Sequence, residues 1–326
     1  MQKKVVVVST GGTIAMKYDP VRKGVFPAVT GAELVEAVPP LADVCPVDVV
    51  EFSNIPSAHM TPQTIFKLAH FIDETLAKDD VSGVVVTHGT DTLEETAYFL
   101  DLVLKSEKPV CVTGAMRHAG DVSPDGPKNI LCSVKVAAAP EAVGKGVFVV
   151  LNEEIHAARE VTKTHSGNPK TFASPFWGPL GYVDEDRVIF RRQPIDRLKI
   201  QPENIVDDVH LIKVSTGVDD FLLKCLVDKG AKGIVVEGFG RGNIPPAMVP
   251  GIKLAIDNGI PVVLTTRSAG GRVLDVYGFE GSAKTLKELG VIFGGEISGQ
   301  KARLKLILAL GITEDHEKLA AYFDVP

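Results

Sequence analysis

Short runs of β-branched residues recur along this chain, and amphipathic segments with helical spacing lie between them. In the N-terminal part the runs are Val5 to Val8, Val47 to Phe52, Gly83 to Val86, Val110 to Thr113 and Val147 to Leu151. Strands that alternate with helices pair in parallel, since each helix carries the chain back across the sheet. The pattern therefore predicts an α/β fold with a mainly parallel, doubly wound sheet.

Three of the segments between the runs begin with the residues that start helices. Residues 30–33 and 92–95 each read as a capping box, in which a threonine and a glutamate three positions later satisfy free backbone N–H groups. Thr61-Pro62 supplies an N-cap and a proline in the first turn of another helix. The helix after Thr92 runs to Leu104, so Thr90 and Asp91 are expected in the turn between a buried strand and a helix N-terminus.

The alternation weakens after about residue 184, in polar sequence that contains arginine and proline. It resumes with three further runs, Val209 to Val214, Gly233 to Glu237 and Val262 to Thr265. We predict a larger N-terminal α/β domain over residues 1–190, a linker over 191–208 and a smaller C-terminal α/β domain over 209–326.

The charge balance argues against two classes of partner. The 35 basic and 41 acidic residues give a net charge of −6, and no segment holds a block of like charge. Nucleic acid and anionic membranes attract basic surfaces, so neither is an expected partner. The start of the chain has four consecutive apolar residues, too few for a signal peptide, and no run is long enough to span a membrane. We expect a cytoplasmic protein.

The cysteines indicate neither a metal site nor a disulfide framework. They are Cys45, Cys111, Cys132 and Cys225, which are far apart and form no Cys-x-x-Cys pair. Cys111 and Cys132 have apolar neighbours, which predicts buried, reduced thiols.

Three of the predicted strands end in threonine and glycine. The sequences are Ser9-Thr10-Gly11-Gly12-Thr13, Thr87-His88-Gly89-Thr90-Asp91 and Thr113-Gly114. In an open parallel sheet the carboxyl ends of the strands line the ligand crevice, so these residues are expected to converge on one pocket.

The residue types at these turns suit attack on an amide. A threonine hydroxyl is a weak acid and needs a base to take its proton, and an amide leaving group needs a proton in return. Gly12 and Gly89 let a substrate approach the backbone and expose amides that can stabilise an oxyanion. Asp91 is an anion beside a helix start, where it can receive a ligand ammonium group or orient a lysine. A small substrate with an amine and an amide fits this set.

Other interpretations fit the same residues before any family is considered. Two glycines after a strand are more often a simple turn or a phosphate cradle than a hydrolase site, although neither common nucleotide-binding glycine pattern occurs here. His88 is as compatible with a packed structural role as with a functional one. Residue type alone makes Lys163 a solvated surface lysine.

Residues 10–15 and 87–97 resemble the two signature motifs of the bacterial-type L-asparaginase and glutaminase-asparaginase family. The resemblance runs nearly end to end and includes further segments at Thr113 to Arg117, Asp125 to Pro127, Val161 to Thr164, Gly178 to Tyr182 and Gln300 to Arg303. It implies an amidohydrolase that uses a threonine nucleophile and needs no metal or organic cofactor. It also implies a homotetramer built as a dimer of dimers.

The resemblance also implies catalytic roles. Thr13 matches the family nucleophile, which forms an acyl ester with the substrate. Thr90, Asp91 and Lys163 match a second triad, in which a desolvated Lys163 acts through Thr90 and Asp91 orients the lysine and contacts the substrate amino group. Which threonine attacks first is left open by the sequence.

Substrate contacts follow from the same comparison. Ser57 matches the serine that binds the substrate α-carboxylate, and Ala115 stands where the family presents a main-chain carbonyl to the substrate amide. The family usually has glutamine directly after this serine, whereas this chain has Ala58, so the choice between asparagine and glutamine stays open.

Two further family residues have no secure match. The first-loop tyrosine that binds the nucleophile corresponds to Tyr18 or to no residue, and Phe26 lies in its usual region. A glutamate that some relatives contribute across the subunit interface has the candidates Asp275, Tyr277 and Glu280. The loop from Met16 to Ala28 is expected to be a mobile lid, with a plain surface loop as the alternative.

The function expected from these observations is hydrolysis of L-asparagine to L-aspartate and ammonia. A broad-specificity glutaminase-asparaginase is the alternative within the class. An amidotransferase subunit that feeds ammonia to transfer RNA carries an additional N-terminal module, and a first strand that starts at residue 4 argues against it. A non-catalytic amino-acid or nucleotide-binding module would keep the glycine turns but would not need Lys163.

Overall fold

Two compact units make up the chain in the computed structural model, which describes residues 3–195 and 197–324. The first unit ends at Lys199 and the second begins at Ile200. This division lies inside the segment predicted as a linker, whose described residues form neither helix nor strand. The functional domain boundaries stay a prediction.

The first unit contains most of the β-structure. Its strands are β1 (Lys4–Ser9), β2 (Met16–Asp19), β3 (Gly24–Pro27), β4 (Val47–Glu51), β5 (Val81–Thr87), β6 (Val110–Thr113), β7 (Val147–Leu151), β8 (Glu154–Ala157), β9 (Thr162–Lys163), β10 (Phe172–Ala173), β11 (Gly181–Asp184) and β12 (Arg187–Phe190). Its helices are α1 (Gly31–Glu36), α2 (Pro62–Leu76), α3 (Leu93–Val103) and α4 (Gly126–Ala138).

Eight of these strands form one sheet in the order β12-β11-β8-β7-β6-β5-β1-β4. Five neighbouring strands pair in parallel, as the sequence predicts, in the order β7-β6-β5-β1-β4. The antiparallel extension by β8, β11 and β12 was not foreseen. These strands are short, and on β11 the exposed Tyr182 and Asp184 alternate with buried residues, so β11 carries no β-branched run.

The central strands are buried on both faces. Val5 and Val7 belong to a hydrophobic cluster with Leu34 of α1 and Ile130 of α4. Successive side chains point to opposite faces of a strand, so the equally buried Val6 faces the other layer, where α2 and α3 pack against each other. The doubly wound arrangement expected from the sequence is confirmed.

The second unit is a smaller α/β body. Its strands β13 (Val209–Lys213), β14 (Gly233–Gly238), β15 (Val262–Thr266) and β16 (Ile292–Phe293) form a parallel sheet in that order. Its helices are α5 (Phe221–Asp228), α6 (Val249–Asp257), α7 (Ala283–Glu288), α8 (Gly299–Leu310) and α9 (His316–Phe323).

All three predicted helix starts are confirmed, but one of the two predicted capping boxes is wrong. The Thr30 to Glu33 capping box is complete, and Thr61 accepts the Thr64 N–H before Pro62. Thr92 makes no side-chain capping bond at the start of α3. Its hydroxyl instead donates a hydrogen bond to the Ser57 carbonyl at 2.9 Å, which ties the start of α3 to the segment that carries Ser57.

Cys111 and Cys132 are buried, as predicted, and burial raises the pKa of both thiols. Every helix in the part of the chain that the structure describes is too short or too polar to cross a bilayer.

Candidate active site

The carboxyl ends of β1, β5 and β6 lie level with one another. Ser9 pairs with Thr87, and Thr87 pairs with Thr113, so the turns that follow these three residues start at the same edge of the sheet. Thr10 strengthens this edge, because both its backbone N–H and its hydroxyl donate to the Thr87 carbonyl, at 3.1 and 2.8 Å. The structure thus brings the three threonine-glycine turns together.

The first turn requires glycine at two positions. Gly11 has φ of +107° and Gly12 has φ of +86°, in a region that side chains disfavour. A Cβ on Gly12 would lie 2.2 Å from the Gly89 nitrogen, which places the first turn directly against the second. Thr13 follows as the first residue of a short 3₁₀ helix, Thr13–Ala15.

The Thr13 side chain is half-buried. Within residues 3–195 and 197–324, its hydroxyl has no hydrogen-bond partner. The hydroxyl is therefore not committed to the protein and can meet a substrate.

The second turn has a different arrangement. Lys163 donates from Nζ to Thr90 Oγ1 at 3.0 Å and to Asp91 Oδ1 at 2.7 Å. Thr90 is buried, the Lys163 side chain is 17% exposed and the Asp91 side chain is 71% exposed. Lys163 lies 73 positions from Thr90 and 72 from Asp91 in sequence. The three residues form one connected group, and the ion pair of Lys163 and Asp91 lies at its exposed side.

Lys163 reaches this position on a small hairpin outside the main sheet. β9 and β10 pair over two residues each, and Lys163 lies opposite Phe172. The backbone N–H of Lys163 donates to Glu94 Oε2 at 2.6 Å. Sequence reasoning missed Glu94, because a glutamate in the first turn of a helix looks like an ordinary capping residue.

Ser57 lies on the other side of the second turn. It is buried at the start of a 3₁₀ helix, Ser57–His59, and a Cβ on Gly89 would lie 2.6 Å from its Oγ. The Thr92 bond to the Ser57 carbonyl holds this contact in place. Ala58, where the family usually has glutamine, is exposed.

The loop after β6 packs against the second turn at Gly114, the residue before Ala115. A Cβ on Gly114 would contact the His88 carbonyl at 2.5 Å and Thr90 Cγ2 at 3.2 Å, and Ala115 itself is fully buried. Asn129 of α4 donates to the Gly114 carbonyl at 2.9 Å and to Asp125 at 3.2 Å.

Asp125 accepts the backbone N–H groups of Met116 and Arg117, at 3.1 and 2.9 Å. Asn129 and Asp125 therefore shape the loop that carries Ala115. The sequence reasoning gave neither residue a role, although Asp125 lies in a segment shared with the family.

His88 has a structural environment. It is fully buried, with Nδ1 2.7 Å from the Gly89 carbonyl and Nε2 2.9 Å from Thr96 Oγ1. A carbonyl oxygen only accepts, so Nδ1 carries the proton and Nε2 accepts the Thr96 hydroxyl. Burial lowers the pKa of His88 to about 4, which keeps the ring neutral behind the second turn at neutral pH.

Comparison with known proteins identifies the family. Residues 4–196 match the family model described as Asparaginase, N-terminal, and residues 208–323 match the Glutaminase/Asparaginase C-terminal domain. The chain belongs to the asparaginase family.

Individual relatives agree over nearly the whole chain. An L-asparaginase of Bacillus licheniformis is 38% identical over 310 residues, which cover 95% of this chain and 96% of that protein. L-asparaginase 2 of Bacillus subtilis strain 168 is 39% identical over 328 residues, which cover 98% of this chain and 85% of that protein. A crystal structure of a probable cytoplasmic L-asparaginase from Campylobacter jejuni matches all of both chains with a TM-score of 0.90 at 35% identity.

The segment that the family resemblance marks as a lid is a β-hairpin. β2 and β3 pair from Met16 with Pro27 to Asp19 with Gly24, so this segment has regular structure. Tyr18 is 54% exposed on this hairpin and makes no hydrogen bond to Thr13 among the described residues. Whether the hairpin moves stays a prediction.

The candidates for a cross-subunit acid lie in the second unit, between β15 and α7. Asp275 binds Lys287 at 3.0 Å, and the Tyr277 ring stacks on Phe279 with centroids 5.6 Å apart. Glu280 is exposed. Their role in this member of the asparaginase family stays a prediction.

Proposed function

We propose that this asparaginase-family protein hydrolyses L-asparagine to L-aspartate and ammonia through an acyl ester on Thr13. The observation that carries the proposal is the hydrogen-bonded group of Lys163, Thr90 and Asp91. The turn that holds Thr90 and Asp91 packs against the turn of Thr13. The names of the relatives support asparagine as the substrate.

The first half-reaction uses both threonine turns. Thr13 Oγ1 attacks the carbonyl carbon of the side-chain amide, and its proton passes through Thr90 to Lys163, which enters this step as the neutral amine. Backbone amides at the glycine turns stabilise the oxyanion. The carbon-nitrogen bond then breaks, and the proton returned from the lysine leaves on ammonia.

The second half-reaction restores the enzyme. Water, deprotonated through the same Thr90 and Lys163 path, attacks the ester carbonyl, and the Thr13 hydroxyl is released with L-aspartate. Ser57 binds the α-carboxylate and Asp91 the α-ammonium group, while the Ala115 carbonyl receives the amide N–H. These contacts place the amide rather than the α-carboxylate at Thr13.

The proposed chemistry needs no metal or organic cofactor. A homotetramer in the cytoplasm completes the proposal. The cytoplasmic location is supported by the Campylobacter jejuni structure, which is described as a probable cytoplasmic L-asparaginase. Sedimentation-velocity centrifugation tests the tetramer.

Ammonia release from L-asparagine and L-glutamine, measured for the wild type and for Thr13→Ala, tests the function. Fast asparagine turnover that disappears in Thr13→Ala supports the proposal. No release from either amide would favour the binding-module alternative.

A glutaminase-asparaginase of broad specificity is the second candidate, favoured by the exposed Ala58 in place of the usual glutamine. The ratio of the two kcat/KM values decides between the candidates. Similar values for asparagine and glutamine would establish the broad activity.

A further inference from the structure

The Asp91 carboxylate has two tasks in the proposed reaction. It binds Lys163 Nζ at 2.7 Å, and it is the group proposed to receive the substrate ammonium. Its side chain is 71% exposed, so its contact with the lysine faces solvent and the incoming substrate. An exposed ion pair is a weak constraint on geometry. The position of Lys163 therefore needs a tie that does not depend on Asp91.

The hairpin that carries Lys163 offers little support by itself. β9 and β10 pair over only two residues each and are not part of the eight-stranded sheet. Beyond Lys163, Thr164 bonds to Thr171 through its backbone and its hydroxyl, which closes the hairpin internally. Such bonds fix the shape of the hairpin but not its distance from Thr90.

Glu94 makes the connection to the turn of Thr90. Its side chain is buried, and Oε2 accepts the Lys163 backbone N–H at 2.6 Å. Glu94 lies in the first turn of α3, the helix that begins directly after the Thr90 turn. One helix start therefore determines the positions of Thr90, Asp91 and the Lys163 backbone. A charge-assisted hydrogen bond at this length is stronger than one between neutral groups.

We propose that Glu94 is a positioning residue, whose carboxylate holds the Lys163 backbone at the distance that lets Nζ reach Thr90 while Asp91 serves the substrate. The proposal rests on the proposed function, because it gives Glu94 a task only if Lys163 works through Thr90. Glu94 acts through Lys163 and does not itself touch the substrate.

Steady-state kinetics of Glu94→Ala and Glu94→Gln on L-asparagine test the proposal. We expect Glu94→Ala to lower kcat by about tenfold to a hundredfold with KM changed by less than about threefold, since small displacements of a catalytic group have effects of this size. Glutamine keeps an acceptor oxygen, so Glu94→Gln should recover kcat to within about threefold of the wild type. Equal losses in both variants would overturn the positioning role.

Hydrogen exchange at the Lys163 amide supplies a second readout. Loss of the Glu94 acceptor should raise its exchange rate by about tenfold or more in Glu94→Ala. Unchanged protection would contradict the proposal. If Glu94→Ala gives no folded protein, Glu94→Leu, which fills the same space without an acceptor, replaces it in both measurements.

Asp73→Ala is the matched control. Asp73 accepts the backbone N–H groups of Lys105 and Ser106, at 3.1 and 3.4 Å, just beyond the other end of α3. Its loss should lower stability and leave both kcat and KM unchanged. A fall in kcat equal to that of Glu94→Ala would mean that any weakening of α3 reduces activity, and the proposal would fail.

The double variant with Lys163→Met separates this proposal from the proposed function. Glu94→Ala should not lower the residual kcat of Lys163→Met further, because its effect passes through the lysine. An undiminished, independent effect would overturn the positioning role. Normal turnover by Lys163→Met alone would overturn the proposed function itself, whereas an impaired Lys163→Met with a fully active Glu94→Ala would remove only the Glu94 proposal.

Discussion

Thr13 and Thr90 lie on adjoining turns, yet the structure holds their hydroxyl groups differently. Thr90 is buried and accepts a hydrogen bond from Lys163 at 3.0 Å, and Lys163 is tied in turn to Asp91. Thr13 is half-buried, and its hydroxyl has no partner among residues 3–195 and 197–324. The Thr90 turn therefore has its partners within the protein, and in the proposed reaction Thr13 gains a partner when the substrate binds.

This difference indicates a division of roles. A group that transfers protons benefits from fixed neighbours, because the direction of transfer is then set in advance. A nucleophile must approach the substrate carbon, so bonds to the protein would have to be broken first. In the proposed reaction, the close approach of Gly12 to Gly89 lets the two groups act on one amide while their surroundings stay distinct.

The largest expected effect follows from removal of the Thr13 hydroxyl. Thr13→Ala should lower kcat for L-asparagine by a factor on the order of 10⁴ or more, as loss of a nucleophile does in related chemistry. Aspartate binding, measured by calorimetry, should persist because the Thr90 turn is unchanged. Thr13→Ser, which keeps a hydroxyl, should retain measurable turnover. Normal activity of Thr13→Ala would reverse the roles of the two threonines.

Loss of the Lys163 amine should have the next largest effect. Lys163→Met removes the proton path through Thr90, and we expect kcat to fall by a factor on the order of 10³, within the range of general acid–base catalysis. Lys170→Met is the control, since Lys170 pairs with Glu154 at 3.1 Å on the same hairpin and should change turnover less than about twofold. Equal losses in both variants would show that the hairpin fold, rather than the amine, is required.

Ser57→Ala tests whether Ser57 binds the substrate α-carboxylate, as proposed. A hydrogen bond to a charged group contributes about 1.5–3 kcal/mol, so KM should rise by about tenfold to a hundredfold with a smaller change in kcat. Ser82→Ala is the control, because Ser82 lies at the opposite end of β5, where its hydroxyl donates to the Lys4 carbonyl at 3.0 Å. This change should leave KM unchanged. A fall in kcat without a change in KM would contradict the assignment.

Burial of His88 behind the Thr90 turn is expected to affect the stability of the protein in acid. The His88 pKa is lowered from its ordinary 6.5 to about 4 by burial, so the unfolded chain binds more protons between these values. The contribution of neutral His88 is complete above pH 6.5 and is lost as the pH falls toward 4, by up to about 3 kcal/mol in the free energy of unfolding. Urea unfolding of the wild type and His88→Gln at pH 7 and pH 4.5 checks this. Equal pH dependence of the two proteins would refute it.

Much of the fold could be predicted because its central strands are marked by continuous local patterns in the sequence. Val5 to Val8 and Val84 to Val86 mark central parallel strands, because strands buried on both faces read as unbroken apolar runs. Tyr182 and Asp184 alternate with buried residues on the four-residue strand β11, so no apolar run marked it.

Prediction of the site was limited by sequence separation. The turns of Thr13 and Thr90 end predicted strands, so their meeting at one sheet edge could be expected. Lys163 lies 73 positions from Thr90, and only the family resemblance singled it out. Glu94 was missed because its partner is a backbone N–H, which every residue except proline carries and which leaves no mark in the sequence.

Mass spectrometry of acid-quenched enzyme tests the central claim, that Thr13 is the nucleophile and Thr90 the proton relay. Lys163→Met is mixed with L-asparagine, quenched in acid and digested, so that an ester formed faster than it is hydrolysed is retained on its peptide. The account predicts an aspartyl ester on the peptide that contains Thr13. An ester on the peptide that contains Thr90, the threonine already bound to a candidate base, would contradict it.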